Sequence, residues 1–287
     1  MGFAAAALVV APGLAQAQPA DLFYERTVMT AAQERCGLFA PEVAAALASA
    51  AAQARGAALR GGVSAGALRQ VEAAAQAKAA SVPCASPDIA LAAGRVRTAF
   101  AGFSKMERLV YPGDVASWRA DRGVGRINRW KLAQDVAFGP NRMAFGLAGK
   151  ENPGVLIAVV RFADGAEPYA ARMVLRDEDR SAQAYLNRWG NGSTATLALD
   201  RRLPPASALK TYAAQARNPA GQDLAPKGVT GAWAFRFPDA AAAAVANLDP
   251  REAIAVDFLF PGDMTRRAYV EVGDFAAGRA FLQLAQR

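Results

Sequence analysis

A basic segment between two tryptophans is the clearest pattern for ligand binding in this chain. Seven basic and two acidic residues lie between positions 115 and 150, so this short segment carries most of the net charge of +8. Guanidinium groups make bidentate contacts with phosphate and carboxylate groups, and they stack on indole rings. The candidate ligand-binding residues are therefore Trp118, Arg119, Arg122, Arg126, Arg129, Trp130 and Lys131.

Two interpretations of this segment remain open. It is either a surface for anionic groups carried by a sugar or a lipid, or a solvated loop whose tryptophans fill the seam between two domains. Nucleic acid binding is not expected, because a single short basic patch is a small electrostatic footprint for a polyanion.

Two acidic residues near the C-terminus form a second candidate site. If Phe260 pairs with Ala268 in a hairpin, Asp257 lies opposite Glu271, on the face opposite the apolar residues of the same strand. Two carboxyl groups about 5 Å apart are typical of the acid and nucleophile of a retaining glycosidase. The alternative is a pair of solvent-facing acids, neutralised by nearby arginines at Arg236, Arg266 or Arg267.

The composition excludes several other kinds of site. The chain has no histidine, which excludes catalytic relays and metal sites that depend on imidazole. Its two cysteines are too few for a zinc or iron–sulfur site made of thiolates alone. We therefore expect neither a metal nor another cofactor. The apolar fraction of 53 % also excludes a disordered chain.

The first residues have the pattern of an export signal. No charged residue precedes Asp21, and an apolar stretch ends in Leu14-Ala15-Gln16-Ala17, which has the small-x-small spacing of a signal peptidase site. About thirteen apolar residues are too few to cross a ~30 Å hydrocarbon layer. The sequence predicts a signal peptide over 1–17, cleaved after Ala17, and a periplasmic protein. An uncleaved anchor and a cytosolic N-terminus are the alternatives.

The two cysteines fit an oxidising compartment. Cys36 and Cys84 each lie at a predicted helix end, and we expect them to form a disulfide. In the chain-entropy model, closing a loop of this length stabilises the fold by roughly 4 kcal/mol. Two separate buried thiols are the alternative.

The elements that position these residues fall into two groups. Residues 18–110 have apolar positions at helical spacing in four segments, with helix-start signals at Asp21, Pro41, Ser64 and Ser86. Residues 115–287 change to an alternating pattern, with about ten short strands and a short helix at the C-terminus. The predicted fold is α+β, a four-helix bundle followed by an antiparallel β-sandwich with a C-terminal helix.

The last part of the chain resembles a known family. The strand Trp233-Ala234-Phe235-Arg236-Phe237 is followed by a helix, two further strands and the sequence Gly273-Asp274-Phe275-Ala276-Ala277-Gly278. This order is similar to the end of the invasion-associated locus B family, and it covers about a fifth of the chain. The resemblance implies an envelope protein with a β-sandwich.

Together these patterns predict an exported, non-enzymatic protein that binds an envelope protein or an anionic envelope component. A carboxylate-based hydrolase of envelope glycan, using Asp257 and Glu271, is the alternative function. No transmembrane span is expected in the mature chain.

Overall fold

The computed structural model describes residues 19–123, 125–150, 155–186, 197–226 and 230–283. The predicted signal peptide lies outside these ranges. The predicted α+β fold is confirmed: four helices come first, two antiparallel sheets follow, and a helix comes last in the described chain.

Four helices form the N-terminal part. They are α1 (Pro19–Cys36), α2 (Pro41–Arg60), α3 (Ala65–Ser81) and α4 (Pro87–Phe100). The Ser64 hydroxyl accepts a hydrogen bond from the backbone N–H of Ala67 at 3.1 Å, and Ser86 caps α4 in the same way at Asp88. Proline opens α2 and α4, where a missing N–H costs no helical hydrogen bond. The helix starts predicted at Pro41, Ser64 and Ser86 agree with these bounds, whereas α1 begins at Pro19 and has the predicted cap residue Asp21 inside its first turn.

A disulfide joins the end of α1 to the segment before α4. Cys36 and Cys84 are bonded, with their Cα atoms 5.6 Å apart. The helices carry many alanines, which let them approach closely but bury little apolar area per residue. The apolar clusters between the helices are correspondingly small. In the chain-entropy model, the crosslink adds roughly 4 kcal/mol to the stability of this thinly packed part.

The larger sheet has seven strands, all antiparallel, in the order β1-β2-β3-β4-β5-β9-β8. They are β1 (Arg108–Tyr111), β2 (Trp118–Asp121), β3 (Arg129–Phe138), β4 (Asn141–Gly149), β5 (Val155–Arg161), β8 (Ala216–Pro219) and β9 (Trp233–Arg236). A β-bulge interrupts the pairing of β3 with β4 between Trp130 and Leu132.

The smaller sheet has four antiparallel strands in the order β11-β10-β6-β7. They are β6 (Ala170–Arg176), β7 (Leu209–Ala213), β10 (Ala253–Phe260) and β11 (Met264–Glu271). Two short helices, α5 (Asp239–Asn247) and α6 (Phe275–Leu282), follow β9 and β11.

The two sheets pack face to face around aromatic side chains. Phe258 of β10 contacts Phe138 of β3, at 6.3 Å between ring centroids, and Phe235 of β9, at 5.6 Å. Ile254, Val256 and Phe260 share this inner face with Phe258, as their alternation in the sequence predicts. This core is much larger than the clusters between the helices.

The helical part and the sandwich meet along α2 and α6. The buried Ser49 hydroxyl of α2 donates to the carbonyl of Ala277 in α6 at 2.9 Å and lies 3.1 Å from the hydroxyl of Tyr111. Burial raises the pKa of Tyr111 to about 12. A Cβ at position 56 would lie only 2.7 Å from Asp274 Oδ1, so Gly56 allows α2 to approach the start of α6.

Candidate functional site

The seven residues of the predicted basic site do not share one surface. Trp118 is fully buried in the sandwich core. Its ring packs edge-on against Phe275 at 5.0 Å and Phe145 at 6.4 Å, and its indole N–H donates to the Val272 carbonyl at 2.9 Å. Trp118 therefore fixes α6 to β2 within the sandwich.

Lys131 and Arg122 also turn inward. Lys131 is only 2 % exposed, and its ammonium donates to the Gly123 carbonyl at 2.5 Å. The guanidinium of Arg122 lies 4.1 Å from the centre of the Phe281 ring and donates to the carbonyls of Phe103 and Met106. Burial lowers the pKa of Arg122. These two cations hold protein segments together.

The β-bulge in β3 places Trp130 on the opposite face of the sheet from Leu132. Alternation alone predicts both residues on one face, and the extra residue at the bulge reverses this. Leu132 enters the core, whereas Trp130 is half-buried on the outer face and donates its indole N–H to the Leu224 carbonyl at 3.1 Å. Around it lies an apolar patch, the outer-face cluster, formed by Trp130, Ala148, Val155, Ile157, Val159, Ala220, Leu224, Ala225, Ala232 and Ala234.

Two grooves adjoin this cluster. The first has a volume of about 270 Å³, and it is lined by Trp130, Leu109, Val110 and charged residues of β1 and β2, namely Arg108, Arg119 and Asp121. The second groove has a volume of about 460 Å³ and extends from Ala148 and Leu224 to Arg236. Ala148 is the strand partner of Trp130, and the Leu224 carbonyl accepts the hydrogen bond from its indole. The volume of the second groove lies within the range that is usual for small-ligand sites, about 300–1,000 Å³, and the volume of the first lies just below it.

In the described part of the chain, the two arginines of the first groove have exposed side chains, and each makes one ion pair with an aspartate. Arg108 contacts Asp121 at 2.9 Å and Arg119 contacts Asp135 at 2.8 Å, and the two guanidinium-bearing side chains are 77 % and 52 % exposed. Such surface pairs contribute about 0–1 kcal/mol, so an anionic ligand can replace the aspartate at little cost. Arg108 is not among the predicted binding residues, because it lies outside the basic segment and reaches the groove only through the pairing of β1 with β2.

Arg126 lies in the loop between β2 and β3, and Arg129 is the first residue of β3. Among the described residues, Arg126 and Arg129 have no acidic partner. The Arg129 side chain lies against Gly125, where a Cβ would overlap the guanidinium. The basic segment thus contributes Arg119, Arg126, Arg129 and Trp130 to the exterior, and Trp118, Arg122 and Lys131 to packing.

The predicted carboxylate pair is not formed, because the register differs from the expected one. Phe260 pairs with Met264, so Asp257 lies opposite Arg267 and Glu271 lies opposite Ala253. Four residues of strand separate the two acids, roughly 13 Å, which exceeds the spacing of about 5–5.5 Å in retaining and 6.5–9.5 Å in inverting glycosidases. The three residues 261–263 form the turn, with Gly262 and Asp263 in the left-handed region at φ values of 74° and 59°.

Asp257 is neutralised by arginines but is not solvent-facing. It is fully buried, and it accepts hydrogen bonds from Arg267 at 2.5 and 2.9 Å and from Arg172 at 3.0 Å. Burial alone raises the pKa of a carboxyl group, but the two arginines outweigh it and hold the pKa of Asp257 below its usual value. Arg267 is one of the predicted partners, whereas Arg172 was missed.

Glu271 is held by backbone groups instead. Its carboxylate accepts hydrogen bonds from the N–H groups of Asp114 at 2.7 Å, Val115 at 2.7 Å and Ala116 at 2.9 Å. A Cβ at Gly113 would lie 2.7 Å from Glu271 Oε2, so glycine permits this close approach. Both carboxylate oxygens are occupied, and the geometry gives Glu271 a structural role.

Glu271 belongs to a set of charges that we call the junction network: Arg60, Asp114, Arg202, Glu271 and Asp274. Arg60 of α2 makes two hydrogen bonds to the Asp274 carboxylate, at 2.7 and 3.1 Å. Arg202 is fully buried and contacts Asp114 at 3.2 Å. Burial, together with the nearby carboxylates of Glu271 and Asp114, raises the pKa of Asp274 against the effect of Arg60.

A serine and a lysine with catalytic spacing are also present. Ser207 and Lys210 have the Ser-x-x-Lys spacing of a lysine-activated serine nucleophile, which places both on one turn of a helix. Here a 3₁₀ helix ends at Ala208 and β7 begins at Leu209, so the two residues do not share a turn. Lys210 instead lies 5.7 Å from the centre of the Tyr212 ring.

Within the described parts of the chain, no cluster of three or more acidic, cysteine or histidine residues is arranged to hold a metal ion. No described helix is long and apolar enough to cross a membrane. In comparisons with family models, with curated proteins and with solved structures, nothing matched this chain.

Proposed function

We propose that the protein is exported and acts in the periplasm as a non-enzymatic binding protein of the cell envelope. Its ligand is an envelope component that carries anionic groups, bound on the outer face of the seven-stranded sheet beside Trp130. The C-terminal resemblance to an envelope family and the uncharged N-terminal stretch are consistent with this location.

One observation carries the proposal. A half-buried indole lies beside two grooves, and next to it the exposed side chains of Arg108 and Arg119 each pair with one aspartate among the described residues, the half-buried Asp121 and the exposed Asp135. An indole offers a flat apolar contact, and arginine offers planar donors for phosphate or carboxylate. Packing inside the sandwich accounts for Trp118, but it does not account for Trp130, which lies in the outer-face cluster, or for these arginines.

Retention on envelope materials tests the binding. The protein without residues 1–17 is mixed with vesicles of phosphatidylglycerol, vesicles of phosphatidylcholine or purified peptidoglycan, and the bound fraction is measured. We expect retention on an anionic material, weakened roughly tenfold to thirtyfold at low salt in the variant Arg108→Gln/Arg119→Gln, which removes the two cations of the first groove, since each cation contributes on the order of 1 kcal/mol.

A matched control separates this surface from net charge. The variant Arg69→Gln/Arg180→Gln removes the same charge from two exposed sites on α3 and after β6, and it should leave retention unchanged. The variant Trp130→Ala should weaken retention at both low and high salt, because the indole contact is not screened. Equal retention of all variants would contradict the proposal. If the protein bound another protein and none of these materials, the proposed anionic ligand would be wrong.

Export is tested separately. Cell fractionation and intact-mass measurement should find a periplasmic chain that begins at Gln18 and has no free thiol before reduction. Full-length chain in the cytosol would overturn the predicted location.

A further inference from the structure

A third groove lies in the helical part, far in sequence from the proposed site. It has a volume of about 420 Å³ and runs between α1, α2 and α4, with apolar walls from Val28, Met29, Leu47, Ala92, Val96 and Phe100. This volume is within the range of about 300–1,000 Å³ that is typical of small-ligand sites. The groove is therefore large enough for a small molecule.

The packing of the helices explains why this space is empty of side chains. Met29, Phe39, Leu47 and Ala93 form a small buried cluster beneath the groove, and Val96 and Phe100 lie half-buried against it. The alanines of α4 at positions 92 and 99 are too short to cover these larger residues. Apolar surface is left in contact with water, and burying it is favourable by about 25 cal/mol per Å².

The rim of the groove is positively charged. Three cations line it, Arg26, Lys78 and Arg95, against one acidic residue, Glu25. In the described chain, the exposed side chains of Lys78 and Arg95 make neither a hydrogen bond nor an ion pair. Both cations are available to a negatively charged group.

Arg26 lies deeper than the other two cations. It is half-buried and donates to the carbonyl of Ala50 at 2.7 Å. Burial lowers the pKa of Arg26, and Glu25 offsets this only in part. A further negative charge beside Arg26 would favour its charged form, so the deep end of the rim also suits an anion.

We propose that this groove binds a fatty carboxylate, with its alkyl chain along the apolar walls and its head among Arg26, Lys78 and Arg95. A small anion such as acetate would leave the apolar walls in water, and a neutral alkyl chain would leave the cations without a partner. A single-chain anionic amphiphile satisfies both parts of the groove at once.

Calorimetric titration of the protein without residues 1–17 tests this proposal. The probes are decanoate and dodecanoate, each below its micelle concentration, and dodecanol, below its solubility limit. Affinity should rise about fourfold for each added methylene, because burying one CH₂ contributes about 0.8 kcal/mol. Dodecanol should bind more weakly than dodecanoate. Absence of dodecanoate binding, or equal affinity for the two carboxylates, would overturn the proposal.

Two variants test the placement. Lys78→Gln/Arg95→Gln should weaken dodecanoate binding at least tenfold and leave dodecanol binding unchanged. Ala99→Trp fills the groove from an exposed position on α4, so it should abolish binding of both probes while the thermal unfolding midpoint is retained. The control variant Arg69→Gln should bind both probes normally. Dodecanoate binding that survives Ala99→Trp would show that the site lies elsewhere.

Two further arms separate this site from the outer face and from a membrane surface. Arg108→Gln/Arg119→Gln should leave dodecanoate binding unchanged, so the groove and the proposed function can fail independently. Retention on phosphatidylglycerol vesicles that is lost in Lys78→Gln/Arg95→Gln, without binding of free dodecanoate, would contradict the fatty carboxylate and indicate a lipid surface.

Discussion

The charges of the junction network and those on the outer face of the seven-stranded sheet make similar contacts in very different surroundings. Arg60 meets Asp274 at 2.7 Å, and Arg119 meets Asp135 at 2.8 Å. The first pair is 19 % and 1 % exposed, whereas the second is 52 % and 63 % exposed. Distance alone therefore does not distinguish a structural charge from one that is available to a ligand.

The surroundings decide what each charge can do. In the described chain, no fully buried side-chain nitrogen or oxygen lacks a hydrogen-bond partner. If a ligand took the place of one charged group in the junction network, the displaced partner would be left buried without a counter-charge, which is strongly unfavourable. On the outer face, water replaces a lost partner. This difference favours a binding role for the outer face and a structural role for the junction.

The largest expected effect comes from breaking the buried pair. Arg60→Ala should lower the free energy of unfolding by about 3–5 kcal/mol, because Asp274 would remain buried without its counter-charge. The matched variant Arg119→Ala should cost less than about 1 kcal/mol. Urea unfolding followed by circular dichroism measures both. Similar losses in the two variants would show that the comparison does not hold.

We expect a smaller loss of stability at Glu271, because backbone N–H groups and not an arginine hold its carboxylate. Glu271→Gln keeps the size of the side chain but places an amide N–H₂ against backbone donors at Asp114, Val115 or Ala116. Hydrogen bonds to a charged group contribute about 1.5–3 kcal/mol, so we expect a loss of that order. Asp135→Asn on the outer face should change stability by less than about 0.5 kcal/mol. Urea unfolding of the two variants makes the comparison, and a neutral Glu271→Gln would contradict the structural role.

Local signals in the sequence predict the helical part well. The caps at Ser64 and Ser86, the prolines that open α2 and α4, and the two cysteines are each interpreted from neighbouring residues, and the structure agrees with them. The boundary between helix and strand also follows from a change in period. The caps and the prolines depend on interactions within one or two helical turns, whereas the disulfide joins residues 48 positions apart and was predictable because the chain has only two cysteines.

The candidate site was predicted less well, because it depends on non-local pairing. The bulge at Lys131 reverses the face of Trp130, and alternation carries no sign of it. The register of β10 and β11 does have a local signal, since Pro261-Gly262-Asp263 suits a three-residue turn. Nothing in the sequence links Glu271 to Asp114, which lies 157 residues earlier in the chain.

Asp257 is intermediate between the buried junction network and the exposed ion pairs of the outer face, since it is buried while its arginine partners are partly exposed. Their side chains are 46 % exposed for Arg172 and 38 % for Arg267. Asp257→Asn should therefore cost about 1–2 kcal/mol at pH 7, less than a fully buried pair and more than a surface pair.

The contribution of Asp257 to stability should decrease as the pH falls. The arginines lower the pKa of Asp257 in the folded protein, so the carboxylate contributes stability above the ordinary aspartate pKa of about 3.9. As the pH falls below that value, the unfolded chain takes up the proton first, and the contribution is lost. Urea unfolding between pH 7 and pH 3 should show the gap between wild type and Asp257→Asn closing toward acid. Asp135→Asn is the exposed control, and its gap should stay near zero throughout, because a carboxylate that water already solvates gains little from its partner.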